Sequence, residues 1–158
     1  MQIRRDTIGL TVDGSLMRLY VARPLPEGRR PGVLFYSDIY QLGEPIRRLA
    51  DRLAGYGYVV AAPEIFHRRE AIGTVIEPDG IGRLRGNDHA RNTTIAAYDA
   101  DAAAVLQWLA ADAGVDGERL GAVGFCIGGH LAFRAALRPE VKVSVCIYPT
   151  GQIGRAHV

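Results

Sequence analysis

The 158-residue chain is poor in cysteine, lysine, tryptophan and long apolar runs, and each shortage excludes something. Two cysteines, Cys126 and Cys146, are too few for a disulfide framework. They could pair only if the fold brought their α-carbons within about 7 Å. No apolar stretch approaches the roughly 18 residues of a membrane-spanning helix. The opening residues, MQIRRDTIGLTVDG, are too polar for a secretory signal. Lys142 is the sole lysine among nineteen basic residues, and seventeen acidic ones leave a net charge of +2. That balance gives no reason to propose nucleic acid as a partner, and the dominance of arginine fits GC-rich coding better than a phosphate site. What is present is 48% hydrophobic and 23% charged, the composition of one globular domain. The expectation is a soluble cytoplasmic domain with no membrane and no nucleic-acid partner. Nothing in the sequence specifies an oligomer.

The pattern along the chain alternates strands and helices. Ile8, Leu10 and Val12 alternate, Asp13-Gly14 supplies a turn, and Leu16 to Ala22 continues as a second strand, which predicts a hairpin. The run GVLFY at 32–36 suits a strand buried on both faces. Pro45 fits a first helical turn, and Ile46, Leu49, Ala50 and Leu53 follow at helical spacing until Gly55 and Gly57 stop the helix. YVVAA at 58–62 is the next buried strand, so strand, helix and strand imply a right-handed parallel crossover. Residues 64–89 show no clean period and read as a long excursion over the surface, uncommon in a compact domain unless functional. Asn92, Thr93 or Thr94 can cap a helix running to about Ala113, and 120–125, 127–137 and 141–148 read as strand, helix and strand.

The turn between the last-named helix and the strand before it carries the chemistry. Gly124-Phe125-Cys126-Ile127-Gly128-Gly129 has the layout of a nucleophile elbow with cysteine at the nucleophile position. Gly124 and Gly128 let strand and helix approach closely, and Gly129 continues that packing. The free N–H groups and dipole of the helix start favour an anionic sulfur. The Ile127 N–H, directly after the nucleophile, points to where an oxyanion would form. The competing reading of the motif is a glycine-rich turn whose cysteine merely packs.

These residues resemble the dienelactone hydrolases, cysteine members of the α/β-hydrolase superfamily. The resemblance spans residues 5 to 151 and rests on GFCIGGH at 124–130, RRLADRLAGYGYVVAAPEIFHR at 47–68 and Ser37-Asp38-Ile39-Tyr40 after the GVLFY strand. It implies a truncated α/β-hydrolase fold: an antiparallel hairpin followed by a parallel sheet with helices on both faces. It also implies an enzyme that opens ester or lactone bonds of a small molecule through a cysteine acyl-enzyme, without cofactor or metal. Cys126 matches the nucleophile. Asp38 matches a glutamate that activates the resting cysteine, one methylene longer than the aspartate here; the alternative for Asp38 is a hydrogen bond within its own loop. Ile39 matches a second oxyanion N–H donor.

The excursion arginines Arg68, Arg69, Arg83, Arg85 and Arg91 could bind an anionic substrate group bidentately, with Arg83 and Arg85 the candidates singled out, against the alternative of solvated surface charges. His67 and His89 read as surface residues, His130 as packed on the helix after the elbow, and Cys146 as structural.

The family's triad runs Cys, Asp, His in chain order, with the Asp and His after two further strands. Asp101, Asp112 and Asp116 precede the elbow, and His157 follows Tyr148 without an intervening strand and helix, so the triad Asp and His are expected to be absent from the chain. Gln152 to Val158 (QIGRAHV) reads as a translated sequencing adapter, encoded by CAG ATC GGA AGA GCA CAC GTC. The expected organisation is therefore a partial hydrolase domain over 1–151 and an adapter-derived tail over 152–158. The intact parent is expected to hydrolyse, and the 158-residue chain to be inactive. Two alternatives compete: an amidotransferase-like cysteine enzyme, which also uses a G-x-C-x-G elbow, and a non-catalytic binding module.

Overall fold

A computed structural model describes residues 1–150. The expectations for 152–158, His157 included, lie outside the described residues. Strands β1 (Ile3–Val12) and β2 (Ser15–Pro24) form the predicted antiparallel hairpin. Asp13 and Gly14 join them with positive φ values of 49° and 76°, the left-handed pair that a two-residue hairpin turn requires. There follow β3 (Arg30–Tyr36), α1 (Glu44–Gly55), β4 (Val59–Pro63), α2 (Gly80–Asn92), α3 (Ile95–Ala111), β5 (Val115–Phe125), α4 (Ile127–Ala135) and β6 (Val141–Ile147).

The strands make one six-stranded sheet in the order β1-β2-β4-β3-β5-β6. β2 meets β4 antiparallel, whereas β3 pairs parallel with both β4 and β5, and β5 pairs parallel with β6. This is the α/β architecture that the alternating pattern and the resemblance predicted. Among the described residues, no helix is long and apolar enough to cross a membrane.

The period-two alternation of β3 and β4 divides the core. Leu34, Tyr36, Val59 and Ala61 face one side, against Val105, Leu106 and Leu109 of α3 and Leu131 and Ala135 of α4. Val33, Phe35, Val60 and Ala62 face the other, against Ile46, Ala50 and Ala54 of α1. Helices therefore cover both faces, and each large apolar side chain so enclosed contributes about 1.5–3 kcal/mol. α3 starts at Thr94, whose hydroxyl accepts the Ala97 N–H at 3.1 Å.

Two elements differ from expectation. β5 begins at Val115, opposite Arg30, and its register jumps from Asp116 opposite Pro31 to Leu120 opposite Gly32, so the residues between bulge out and hide the strand's early start. The excursion at 64–89 is not structureless: it contains α2. Asp79 caps this helix by accepting the Gly82 N–H at 2.7 Å. The sequence gives no apolar stripe because Ile81 and Leu84 stand 79% and 67% exposed, and the helix packs through glycine instead.

Candidate active site

β5 ends at Phe125, and the chain reverses into α4 through Cys126 alone. Cys126 has φ 59° and ψ −122°, a left-handed backbone conformation costly for a residue with a Cβ. The surroundings fix it. Its N–H donates to Ile147 O at 3.1 Å, and its carbonyl accepts from Gly129 at 3.0 Å and Thr150 at 3.1 Å. Its sulfur is half-buried at the start of α4, 3.5 Å from Thr150 Oγ1.

The elbow glycines are there for space. A Cβ on Gly124 would lie 1.9 Å from Gly128 O, and one on Gly128 would lie 2.2 Å from Ser37 O and 2.8 Å from Tyr36 Cβ. A Cβ on Gly129 would meet Ile147 O at 2.9 Å. Gly128 thus brings the elbow into contact with the end of β3 and the loop that follows, which carries Asp38 and Ile39.

That loop is held tightly. Asp38 Oδ1 accepts the Tyr40 N–H at 2.8 Å, the local hydrogen bond allowed for as an alternative. Burial pushes the Asp38 carboxyl above its ordinary value, against the opposing effect of the Tyr40 N–H. Gln41 is buried with φ 66°; its amide donates to Thr74 O and accepts from the Phe66 N–H, both at 3.0 Å. Ile39 and Ile127 are buried at 7% and 5% exposure. Among the described residues neither Ile39 N–H nor Ile127 N–H has a backbone acceptor. Ile127 opens α4, so its N–H has no partner within the helix, and Ile39 lies in the loop whose first residue, Ser37, touches Gly128.

Other candidates fall elsewhere. Arg85 does not stand free: its guanidinium holds Glu70, with Nε donating to Oε1 at 2.6 Å. Arg83 is exposed, and no ion pair engages it among the described residues. The surface reading of two histidines is corrected. His67 is 8% exposed, its ring between Ser15 Oγ at 2.9 Å and Asp101 Oδ1 at 3.0 Å. Arg68 lies beside it, donating to both carboxylate oxygens of Asp101 at 2.9 Å. His89 is half-buried, 2.6 Å from Glu70 Oε1. His130 is packed at 4% exposure; burial and then the Arg134 charge hold its imidazole below the usual value. None of these three rings bonds the Cys126 sulfur.

The residues that periodicity missed are Gln41, Glu70 and Gly86, which tie the excursion to the Ile39 loop. Their one available signal was compositional: Gly82 and Gly86 four apart, one helical turn, in a stretch otherwise rich in charge. Among the described residues no group of three or more His, Cys, Asp or Glu could hold a metal ion.

The dienelactone hydrolase family profile matches residues 17–157. A Saccharomyces cerevisiae protein named "Putative carboxymethylenebutenolidase" is 39% identical over 142 residues, covering 87% of this chain and 51% of that protein. A Bradyrhizobium protein named "Probable 2-oxo-3-(5-oxofuran-2-ylidene)propanoate lactonase" is 32% identical over 148 residues, covering 92% and 56%. The crystal structure of a "Putative Dienelactone Hydrolase" from Klebsiella pneumoniae superposes with a TM-score of 0.82 at 30% identity, covering 96% of this chain and 63% of that one. The chain spans about half the length of the curated relatives it matches.

Proposed function

We propose, for a chain that belongs to the dienelactone hydrolase family, that Cys126 is the nucleophile of a hydrolase opening an ester or lactone of a small molecule. The observation that carries this reading is the strained Cys126 backbone at the start of α4, packed through Gly128 against the end of β3 and the start of the loop that carries Ile39. The names of the relatives support the substrate class, and family membership favours this reading over the amidotransferase and binding-module alternatives.

The chemistry follows from the geometry. The Cys126 thiolate adds to the acyl carbon, and the carbonyl π electrons move onto oxygen. The Ile39 and Ile127 N–H groups donate to that oxyanion, replacing water with fixed donors. As the oxyanion collapses, the C–O bond breaks, the alkoxide takes a proton, and a thioester remains on Cys126. Water then adds to the thioester, gives up its proton, and the thiolate leaves. The first proton transfer calls for a general acid and the second for a general base near the sulfur, and none of the described histidines bonds that sulfur. An ester whose leaving group departs as a stable anion, such as p-nitrophenolate, needs no proton in the first step, so the 158-residue chain should be acylated by it and deacylate slowly.

Asp38 stands in the loop with Oδ1 engaged by Tyr40, leaving Oδ2 as the atom for any contact with the resting thiol. The substrate is a small ester or lactone; an anionic group on it would meet an arginine of the α2 region, with Arg83 the unpaired candidate.

The test is pre-steady-state reaction with p-nitrophenyl acetate. The expected result is a p-nitrophenolate burst of one equivalent per chain followed by slow turnover, with no burst in Cys126→Ala. A burst that survives this substitution would overturn the reading.

A further inference from the structure

Apart from Arg83, α2, with the loop before it, is left unused by the catalytic reading. Its glycine at 86 lies directly against the oxyanion loop. A Cβ there would stand 2.7 Å from Ile39 O, 2.9 Å from Ile39 Cβ and 3.2 Å from Ile39 Cγ1. Helix and loop are therefore in backbone contact, closer than any side chain would allow. Gly80, on the same helix, has nothing within 4 Å of the equivalent position. The tight fit is confined to the face of Gly82 and Gly86, of which Gly86 is the one that meets Ile39.

A helix with no apolar stripe needs another anchor, and Glu70 supplies it. The Glu70 side chain is 4% exposed and receives Arg85 and His89, which lie one turn apart on α2. Burial alone would push this carboxyl up, but the bonds from Arg85 and His89 outweigh it and hold it below its ordinary value. Phe66 packs edge-on against the His89 ring with centroids 5.4 Å apart. Phe66 also donates its N–H to Gln41, two residues past Ile39. Arg85 and Gly86 are neighbours, so the charged latch closes beside the point of contact with Ile39.

We infer that α2 is the backstop of the oxyanion hole: Gly86 and Arg85, latched by Glu70, are positioning residues that set the orientation of the Ile39 N–H. The inference rests on the proposed role of Ile39 and gives Arg85 a structural task instead of a substrate contact. A misplacement of about 1 Å in such a donor can cost on the order of 100-fold in rate.

The test separates oxyanion stabilisation from folding by comparing two reactions of one sulfur in the 158-residue chain. Acylation by p-nitrophenyl acetate passes through an oxyanion. Alkylation by iodoacetamide displaces iodide at a saturated carbon and uses no oxyanion hole. Gly86→Ala should slow acylation about 10- to 100-fold while alkylation of Cys126 changes less than about two-fold. Arg85→Gln, which adds no bulk, should slow acylation about 3- to 10-fold with the same spared alkylation. Gly80→Ala should leave both rates unchanged. The inference is overturned if Gly86→Ala and Arg85→Gln acylate at the wild-type rate, or if both reactions slow together in both variants. Should Gly86→Ala fail to fold, Arg85→Gln alone decides by the same criterion. Absence of acylation at Cys126 in the wild-type chain would instead remove the catalytic reading, and this positioning role with it, before any variant is made.

Discussion

The elbow at 124–129 and the α2 region at 64–92 solve the same packing problem by opposite means. Both bring backbone against backbone through glycine, at Gly124 and Gly128 in one and at Gly82 and Gly86 in the other. The elbow's glycines lie between β5 and α4, two elements whose apolar periodicity is strong and whose side chains fill the core. Those of α2 lie in a helix whose leucine and isoleucine face outward and whose hold on the body is the buried Glu70 carboxylate. Hydrophobic burial is non-directional and robust, whereas a buried ion pair depends on geometry and on charge state. The elbow should therefore fail only with the whole domain, and α2 should be able to fail alone.

The largest expected effect breaks the elbow. Gly128→Ala would put a Cβ 2.2 Å from Ser37 O, a backbone atom that cannot step aside. The expected loss is about 3 kcal/mol or more, read as the shift of the urea midpoint. A wild-type midpoint would show that the close approach does not matter. Gly82→Ala makes the matching test in α2, since its Cβ would lie 1.8 Å from Glu77 O. Here the expected global loss is smaller, about 1–2 kcal/mol, accompanied by faster amide exchange confined to 77–92. Exchange that rises uniformly across the sheet would erase the distinction between the regions.

The next effect is one of pH. Glu70 is held below its ordinary 4.5 in the folded chain, so on acidification the unfolded chain takes up this proton first. The stability contributed by the latch is whole above about pH 5 and is lost as pH falls through 4.5 toward the folded value. Glu70→Gln should flatten the acid limb of the stability profile, and parallel limbs for wild type and variant would contradict the latch. The smallest effect belongs to Asp38→Asn. Asparagine keeps an acceptor for the Tyr40 N–H, so the midpoint should move by less than about 1 kcal/mol. A slower alkylation of Cys126 in that variant would assign Asp38 to activation of the thiol, and an unchanged rate would confine it to its loop.

This contrast also explains what could be read before the fold was known. Alternation in GVLFY and YVVAA marks strands buried on both faces, and Gly124, Gly128 and Gly129 around Cys126 mark a turn, because each is a local rule obeyed locally. The start of β5 was hidden by its bulge between Asp116 and Leu120. The helix α2 was hidden because its stabilisation comes from partners far along the chain, Glu70 on Arg85 and Ile39 on Gly86. His67 looked like a surface residue for the same reason, since Ser15 and Asp101 that enclose it lie 52 and 34 residues away in sequence. In the candidate site, the sharp turn at Cys126 and the close approach of its flanking glycines were legible from one motif. The contact of Gly86 with Ile39 was not, because it is a property of tertiary packing.

The two cysteines offer the most direct test of the central claim. Cys126 sits at the strained helix start, and Cys146 lies within β6 with its sulfur 3.7 Å from Ser144 Oγ. Both are half-buried and free, so access alone does not set them apart. Peptide-resolved mass spectrometry after brief exposure to p-nitrophenyl acetate should find one acetyl group, on Cys126, with Cys146 unmodified. Equal acetylation of the two, or acetylation of Cys146 alone, would contradict the assignment of Cys126 as the nucleophile.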